Sequence, residues 1–346
     1  MSYYENSFFD PDGDNSPYPF VACIFTNAIN YHANYQTDLA TFYDFDGNYT
    51  QYSNEFTAEY DDLIAGVGTY FNRSGIDYSF DIYVDNSLVY SQSGISEFAG
   101  YRTIILSNYV PVKKGDKFKV VFKSNALPYE VDSRNHYIQG MSFVSADGST
   151  WSDITLENKT VCLKVYTVAD DSKLINNTDV SVDYDGGKYF TVKVVTADGR
   201  GVVAAQVTFK INGKTTTVPT GSDGVAKIKI SDVPGKYTVK TTYNGKTYSN
   251  KVTVKQVLTA YKVTVKKTAK KFTLKAKLKI NGKLVKGKTV TFKFNGKTYK
   301  VKTNAKGIAQ KILKKKVIKK LKKGKTYTVK VTYLKDTIKT TVKVKK

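Results

Sequence analysis

Two stretches of this chain say nearly the same thing: VTFKINGKTTTVPTGSDGVA at 207–226 and VTFKFNGKTYKVKTNAKGIA at 290–309. In each, an Asn-Gly pair separates two runs that alternate apolar with polar residues. Asn and Gly tolerate the positive φ that a two-residue type I′ turn demands at both central positions. Closing the turn at Asn295-Gly296 pairs Phe294 with Lys297, Phe292 with Tyr299 and Val290 with Val301, the last two pairs on one face. The same logic around Asn212-Gly213 sets Val207 opposite Val218. Further Asx-Gly turns are expected at Asp198-Gly199, Asn244-Gly245 and Asn281-Gly282. Short alternating strands spaced by such turns read as β-sandwiches.

The later halves of the repeat align as well, 236–256 with 326–346, but with seven more residues between Ile312 and Thr326 in the second copy. The extra residues fall within LKKKVIKKLKKGK. Val317, Ile318 and Leu321 are expected on one side of a basic amphipathic turn, tucked under a sandwich edge; a membrane-surface segment is the alternative. The domain organisation expected is a first β-sandwich at 1–168, a polar linker at 169–178, and immunoglobulin-like modules at 179–256 and 257–346.

Charge is distributed unevenly along the 346 residues. Residues 1–170 hold 10 Lys and Arg against 22 Asp and Glu, 171–255 hold 13 against 7, and 256–346 hold 31 against 1, Asp336. Such a basic block attracts polyanions, and salt screens the attraction. Only four of the 54 basic residues are Arg, and none lies in the last module. The forked guanidinium favoured for reading phosphates and base edges is therefore scarce. The lysines instead alternate with Leu274, Ala276, Leu278 and Ile280 in FTLKAKLKING, as on the solvent face of a half-buried sheet. That argues against a dedicated nucleic-acid site and is compatible with contact to anionic cell-wall material. No run approaches the ~18 apolar residues of a membrane helix. MSYYENSFFDPDG has neither the basic nor the apolar region of a secretion signal. An extracellular, cell-surface location would then place the export signal and anchor outside this stretch, as in a fragment of a longer protein.

Residues 1–168 are different material, with 18 of the 27 tyrosines, 13 of the 18 phenylalanines and the single tryptophan. Phe80, Ile82 and Val84 share one face of YSFDIYVDNSLVY before a turn at Asp85-Asn86, and Phe118, Val120 and Phe122 align in DKFKVVFK. A larger sandwich of jelly-roll type is expected, with one helical turn between Asn54 and Ile64 at most. The fold class is all-β throughout.

NYHANYQTD (30–38), TYFNRSGIDYSFDIYV (69–84), SEFAGYRTIIL (96–106), GDKFKVVFKSN (115–125) and YIQGMSFVSADG (137–148) resemble the lectin-like domain found after papain-like cysteine peptidase domains in surface proteins of methanogenic archaea and some gut bacteria. The NGK repeats resemble the immunoglobulin-like repeats of archaeal adhesin-like proteins. The resemblance implies a carbohydrate partner but supplies no ligand residues. It implies a non-catalytic adhesion protein with a lectin-like head on a stalk. The alternatives are a substrate-binding accessory region of a secreted peptidase, its catalytic domain upstream, and a structural cell-wall protein without a ligand.

Sugar binding needs aromatic faces beside planar hydrogen-bonding groups. Tyr31, His32, Asn34, Tyr35 and Gln36 in the first His-bearing stretch, Arg134 and His136 in the second, and Tyr101, Arg102 and Trp151 are the candidates. Asp10, Asp12 and Asp14 alternate as in the first half of a calcium loop, although Asn15 and Val21 occupy the positions where an EF-hand needs Gly and Glu. The alternative is an acidic turn, and calcium is the one cofactor expected, if any. Cys23 and Cys162 fall on what should be the first and last strands of the head; they form a disulfide or stay buried and free. Sequons stand at Asn48, Asn72, Asn158 and Asn176, glycan acceptors in an exported archaeal or eukaryotic protein. No papain-like cysteine motif, paired carboxylates or His/Cys metal spacing singles out a catalytic residue.

Overall fold

The computed structural model describes residues 30–38, 43–131 and 137–345. It is nearly all-β, and the turn chemistry sets its registers. Asn212-Gly213, Asn244-Gly245, Asn281-Gly282 and Asn295-Gly296 each have positive φ at both positions. Strand Thr289–Phe294 pairs with Lys297–Lys302 so that Phe294 faces Lys297, Phe292 faces Tyr299 and Val290 faces Val301. In the first copy Thr208 and Thr217 share a 2.8 Å side-chain hydrogen bond, the pairing that sets Val207 across from Val218. Asp85-Asn86 is likewise a turn with both φ positive. Asp198-Gly199 differs: only Gly199 has positive φ.

The chain divides into two compact units. Among the described residues, the first comprises those of 30–173 with 194–205 and 219–225; the second comprises 174–193, 206–218 and 226–345. In the first, a four-stranded sheet (Ala33–Tyr35, Lys164–Ala169, Asp62–Phe71, Gly100–Val112, in spatial order) and a six-stranded sheet (Ser152–Asp153, Ser142–Ser145, Gln51–Thr57, Lys117–Lys123, Asp77–Val84, Ser87–Ile95) supply the sandwich. Tyr52, Phe80, Phe118 and Phe122 from one sheet and Leu63, Val67, Leu106 and Val165 from the other are fully buried. Each buried aromatic contributes on the order of 2–3 kcal/mol of hydrophobic stabilisation. Where the chain leaves strand Thr160–Val161, buried Asn54 donates to the carbonyls of Val161 (3.2 Å) and Leu163 (2.9 Å). The Val161 carbonyl also accepts the Leu163 amide at 2.9 Å, so Asn54 supplies a second donor there. The Asn54–Ile64 stretch forms no helical turn. It ends strand Gln51–Thr57 and begins Asp62–Phe71, because Tyr52, Asn54 and Phe56 alternate into the core. Within the same unit Tyr109 bridges to Val202 in parallel, and Arg200 Nη1 donates to the Leu106 carbonyl at 2.8 Å.

In the second unit the two repeats use the same scheme. Strands Val180–Asp183 and Val263–Lys266 each add in parallel to the last strand of a five-stranded sheet, Lys246–Lys255 and Asp336–Lys345. Phe190 meets Phe209 edge to face at 6.0 Å between centroids, and Phe272 meets Phe294 at 5.8 Å. The stretch expected as a linker contributes strand Lys173–Ile175, paired beside Tyr189–Val195, with Leu174 buried. Two adjacent apolar residues, Leu174 and Ile175, in a polar run leave too short a pattern to signal a strand.

The insertion includes a short helix, Lys315–Lys319; Ile318 and Leu321 are buried completely, whereas Val317 is only half-buried. The Lys267 ammonium donates to the carbonyls of Ile318 (3.1 Å), Lys319 (2.9 Å) and Leu321, closing the carboxyl end where a cation is favoured. Asp336, the only carboxylate side chain of the last module, is fully buried. Its Oδ2 accepts the amides of Val257 (2.8 Å) and Leu258 (3.1 Å), tying down the chain that enters the module.

Two stability outcomes follow. Asp336→Ala strands two buried amides and is expected to destabilise the second repeat by about 2–4 kcal/mol, with Asp336→Asn milder, in denaturant unfolding of the whole chain. Where the first repeat has Asn244-Gly245, the second has Leu334-Lys335, with Leu334 exposed at φ +50°. A left-handed Leu is strained, so Leu334→Asn should stabilise by about 1 kcal/mol in the same measurement.

Candidate functional site

The six-stranded sheet of the first unit turns one face to the core and the other to solvent, and the outward residues line up in cross-strand rows. One row runs Phe143, Ser53, Val121, Asp81, Ser91. The next runs Ser145, Gln51, Lys123, Ser79, Ser93. On the other side Glu55 faces Lys119, which faces Tyr83. The rows floor a groove of about 500 Å³, walled at one end by Trp151 and Gly148. Lys123 pairs with Asp81 at 2.7 Å, and Ser91 Oγ donates to the same carboxylate at 2.6 Å. The Lys119 ammonium lies 5.1 Å from the Tyr83 ring centroid, and Lys117 lies 3.9 Å from Glu55. Charges within the groove thus largely cancel. Three aromatic residues, one amide and several hydroxyls are left to meet a ligand.

The loop that carries Trp151 is tied to one side chain. Asp147 Oδ1 accepts the amides of Thr150 and Ser149, both at 2.8 Å, and Oδ2 accepts the Ser149 hydroxyl at 2.8 Å. These donors hold its carboxyl well below the usual carboxylate range. Gly148 has φ +78°, and a Cβ there would lie 2.2 Å from Gln51 Nε2, so the turn requires glycine.

The opposite, four-stranded sheet collects several of the residues expected from sequence. Asn34 lies across from Tyr166, and Tyr166 across from Gly66, on one outward face. Tyr31 stacks on Tyr166 at 4.6 Å between centroids, and the hydroxyls of Tyr101 and Tyr166 are 2.5 Å apart. Gly66 and Gly68 leave room for this layer: a Cβ on Gly68 would meet the Tyr101 hydroxyl at 2.1 Å. Burial, reinforced by Tyr166, pushes the Tyr31 phenol up to about 12. Asn34 donates to Gln36, and Gln36 accepts from Lys164, each at 2.9 Å. These side chains are paired with one another rather than aimed at a ligand.

The remaining expectations separate. Tyr35 is a core residue, 7% exposed, packed edge-on against Phe118 at 5.0 Å; its parity on the strand points it inward, away from any ligand. His32 is held at 2.9 Å by the buried Asp62 and lies beside Tyr60. Arg102 pairs with Glu97 at 2.7 Å at the edge of the same sheet. Asp10, Asp12, Asp14, Cys23, Arg134 and His136 lie outside the described residues. Cys162 is free and fully buried, and burial raises its thiol pKa far from any reactive range. Asn48, Asn72, Asn158 and Asn176 are exposed, as an acceptor must be. Gln51, Glu55, Asp81, Tyr83 and Phe143 were missed by sequence reasoning. The signal was available: the polar positions of the very strands whose apolar positions mark the core.

In the second unit a smaller hollow of about 360 Å³ is lined by Val180, Asp183, Lys188, Tyr189 and Asn281. Its polar groups already engage each other, Asn281 N donating to Asp183 Oδ2 and Asn281 Nδ2 to the Gly186 carbonyl, both at 2.7 Å.

Residues 34–167 match the family model of the Lectin like domain. No curated protein matches the chain. Among solved structures, similarity extends to the D0-D1 domain of intimin (20% identity, 50% of this chain and 100% of that one, TM-score 0.22). A 1.5-MDa bacterial ice-binding adhesin is also similar (12% identity, 78% and 87%, TM-score 0.20), as are fibronectin(III)-like modules of Clostridium thermocellum CbhA (15% identity, 50% and 94%, TM-score 0.18).

Trp151 is the only tryptophan, so its emission, excited selectively over the 27 tyrosines, reports on the groove alone. Asp147→Ala should shift that emission to the red without unfolding the chain. A depressed carboxyl pKa stabilises the loop above the ordinary Asp value near 3.9 and fades only as pH falls through the lower folded-state value. Emission of the native chain should therefore hold constant from neutral pH down to about 4.

Proposed function

We propose that this chain is a non-catalytic cell-surface recognition protein whose lectin-like head takes a glycan in the Trp151 groove. The observation that carries this reading is the groove itself. Trp151, Tyr83 and Phe143 offer apolar faces for a pyranose ring, and Gln51, Glu55 and the Lys123–Asp81 pair offer planar or charged hydrogen-bonding groups for its hydroxyls. Glu55 and Asp81 each stand beside a lysine, an arrangement suited to holding hydroxyls rather than to general acid catalysis. The match of residues 34–167 to the Lectin like domain supports the same ligand class. Residues 179–256 and 257–346 serve as spacers, the last of them contacting anionic wall material, at an extracellular site.

The test is a glycan array probed with the whole chain, followed by calorimetry on the strongest hit, with and without calcium. Saturable binding should weaken by about tenfold or more in Trp151→Ala, the loss of one aromatic stacking partner and its buried area. Binding lost instead in Tyr31→Ala would move the site to the opposite sheet. Calcium dependence would bring in Asp10, Asp12 and Asp14. A chain that saturates with no glycan would overturn the reading.

A further inference from the structure

The repeats carry a feature that the charge count alone does not reveal. On the outward face of the sheet in the second repeat, Thr298, Lys293, Lys330 and Lys339 lie directly opposite one another across four adjacent strands. The first repeat has the same row in shorter form: Lys210, Lys240, Ser249. Beside each runs a row of threonines, Thr291, Thr332, Thr337 in one and Thr208, Thr242, Thr247 in the other. Like charges directly opposite on a sheet are destabilising. All five lysines are exposed, and among the described residues none has a carboxylate partner. The one acid of residues 256–346 is buried beneath the entering chain. Among the described residues, three ammonium groups therefore stand in line with no carboxylate beside them.

We propose that this row is the docking line for a linear acidic polysaccharide carrying one carboxylate per sugar, with the threonine row hydrogen-bonding the sugar hydroxyls. This rests on the reading that the basic repeats meet anionic wall polymer, and it names the face and the ligand. Neighbouring strands stand about 4.8 Å apart, so the lysines repeat at close to the advance of one hexose along a chain. Lysine is a hydrated point charge without the fork that selects phosphate, and it suits single, regularly spaced charges better than the denser charge of a nucleic acid. A flat face with short, branched threonines lets a stiff polymer lie across the strands. Serine at the third position of the first repeat makes that copy the weaker one.

The probe is polygalacturonate, with its methyl ester as the neutral counterpart and polyphosphate and duplex DNA as competing anions, all against the whole chain at physiological salt. Two triple variants remove equal charge: K293Q/K330Q/K339Q on the row, and K286Q/K306Q/K323Q at scattered exposed positions of the same repeat. The row variant should weaken polygalacturonate binding by about tenfold and the scattered variant by less than about threefold, three exposed ion pairs against diffuse charge. Without polymer, the row variant should melt no lower than the native chain, since neutralisation relieves repulsion. A lower melting temperature would overturn that premise. Equal weakening by both variants would overturn the row while leaving a general anionic contact in place. Tighter binding of polyphosphate or DNA would overturn the ligand class, and no preference over the methyl ester would overturn both the row and the wider reading.

Discussion

Cross-strand register, set by two-residue turns, is the constraint on which the rest of the structure depends. At Asn295-Gly296 both residues take positive φ, and the flanking strands have no choice of partner once that turn closes. Side chains alternate with period two, so a slip of one residue would send Phe292 to solvent and Lys293 into the core. The phenylalanine core and the lysine row are therefore two sides of one decision. The same holds in the head, where Phe118, Val120 and Phe122 fill the sandwich because Lys119, Val121 and Lys123 face the groove.

Buried polar groups then fix what alternation leaves open. Asn54 stands in a strand of the head where a hydrophobe would fill space equally well, but the chain leaving strand Thr160–Val161 turns two carbonyls, those of Val161 and Leu163, toward it. An amide with two donors satisfies them. Asp336 does the opposite work in the last repeat, accepting two amides of the incoming chain. Each is a point where removing one partner leaves the other desolvated, so each specifies a chain path more than it adds stability.

The candidate site was only partly legible. Trp151 stood out as the lone tryptophan, and Tyr31, Asn34, Gln36 and Tyr101 do gather on one surface. Yet that surface is the opposite sheet from Trp151, and its tyrosines are stacked and hydrogen-bonded among themselves. Tyr35 sits between two candidates that face outward, and strand parity alone assigns it to the core. Glu55, Asp81 and Tyr83 looked like ordinary solvent-face residues. They come from strands that are not consecutive in sequence, and only the insertion of Lys117–Lys123 between them brings them side by side.

The sequence by itself determined most of the turns, the pairing across the Asn212-Gly213 and Asn295-Gly296 hairpins, the tandem repeat and the burial of Ile318 and Leu321 within the basic insertion. These are local: a turn and its flanking alternation lie within some twenty residues, and propensity and pattern agree there. Only the tertiary structure decided which sheets pair across long separations, that a supposed linker supplies a strand, and which polar faces meet. Strand order beyond a hairpin depends on which buried surfaces fit together once the whole core closes. Alternation names the inward and outward residues but does not say beside whom they will stand.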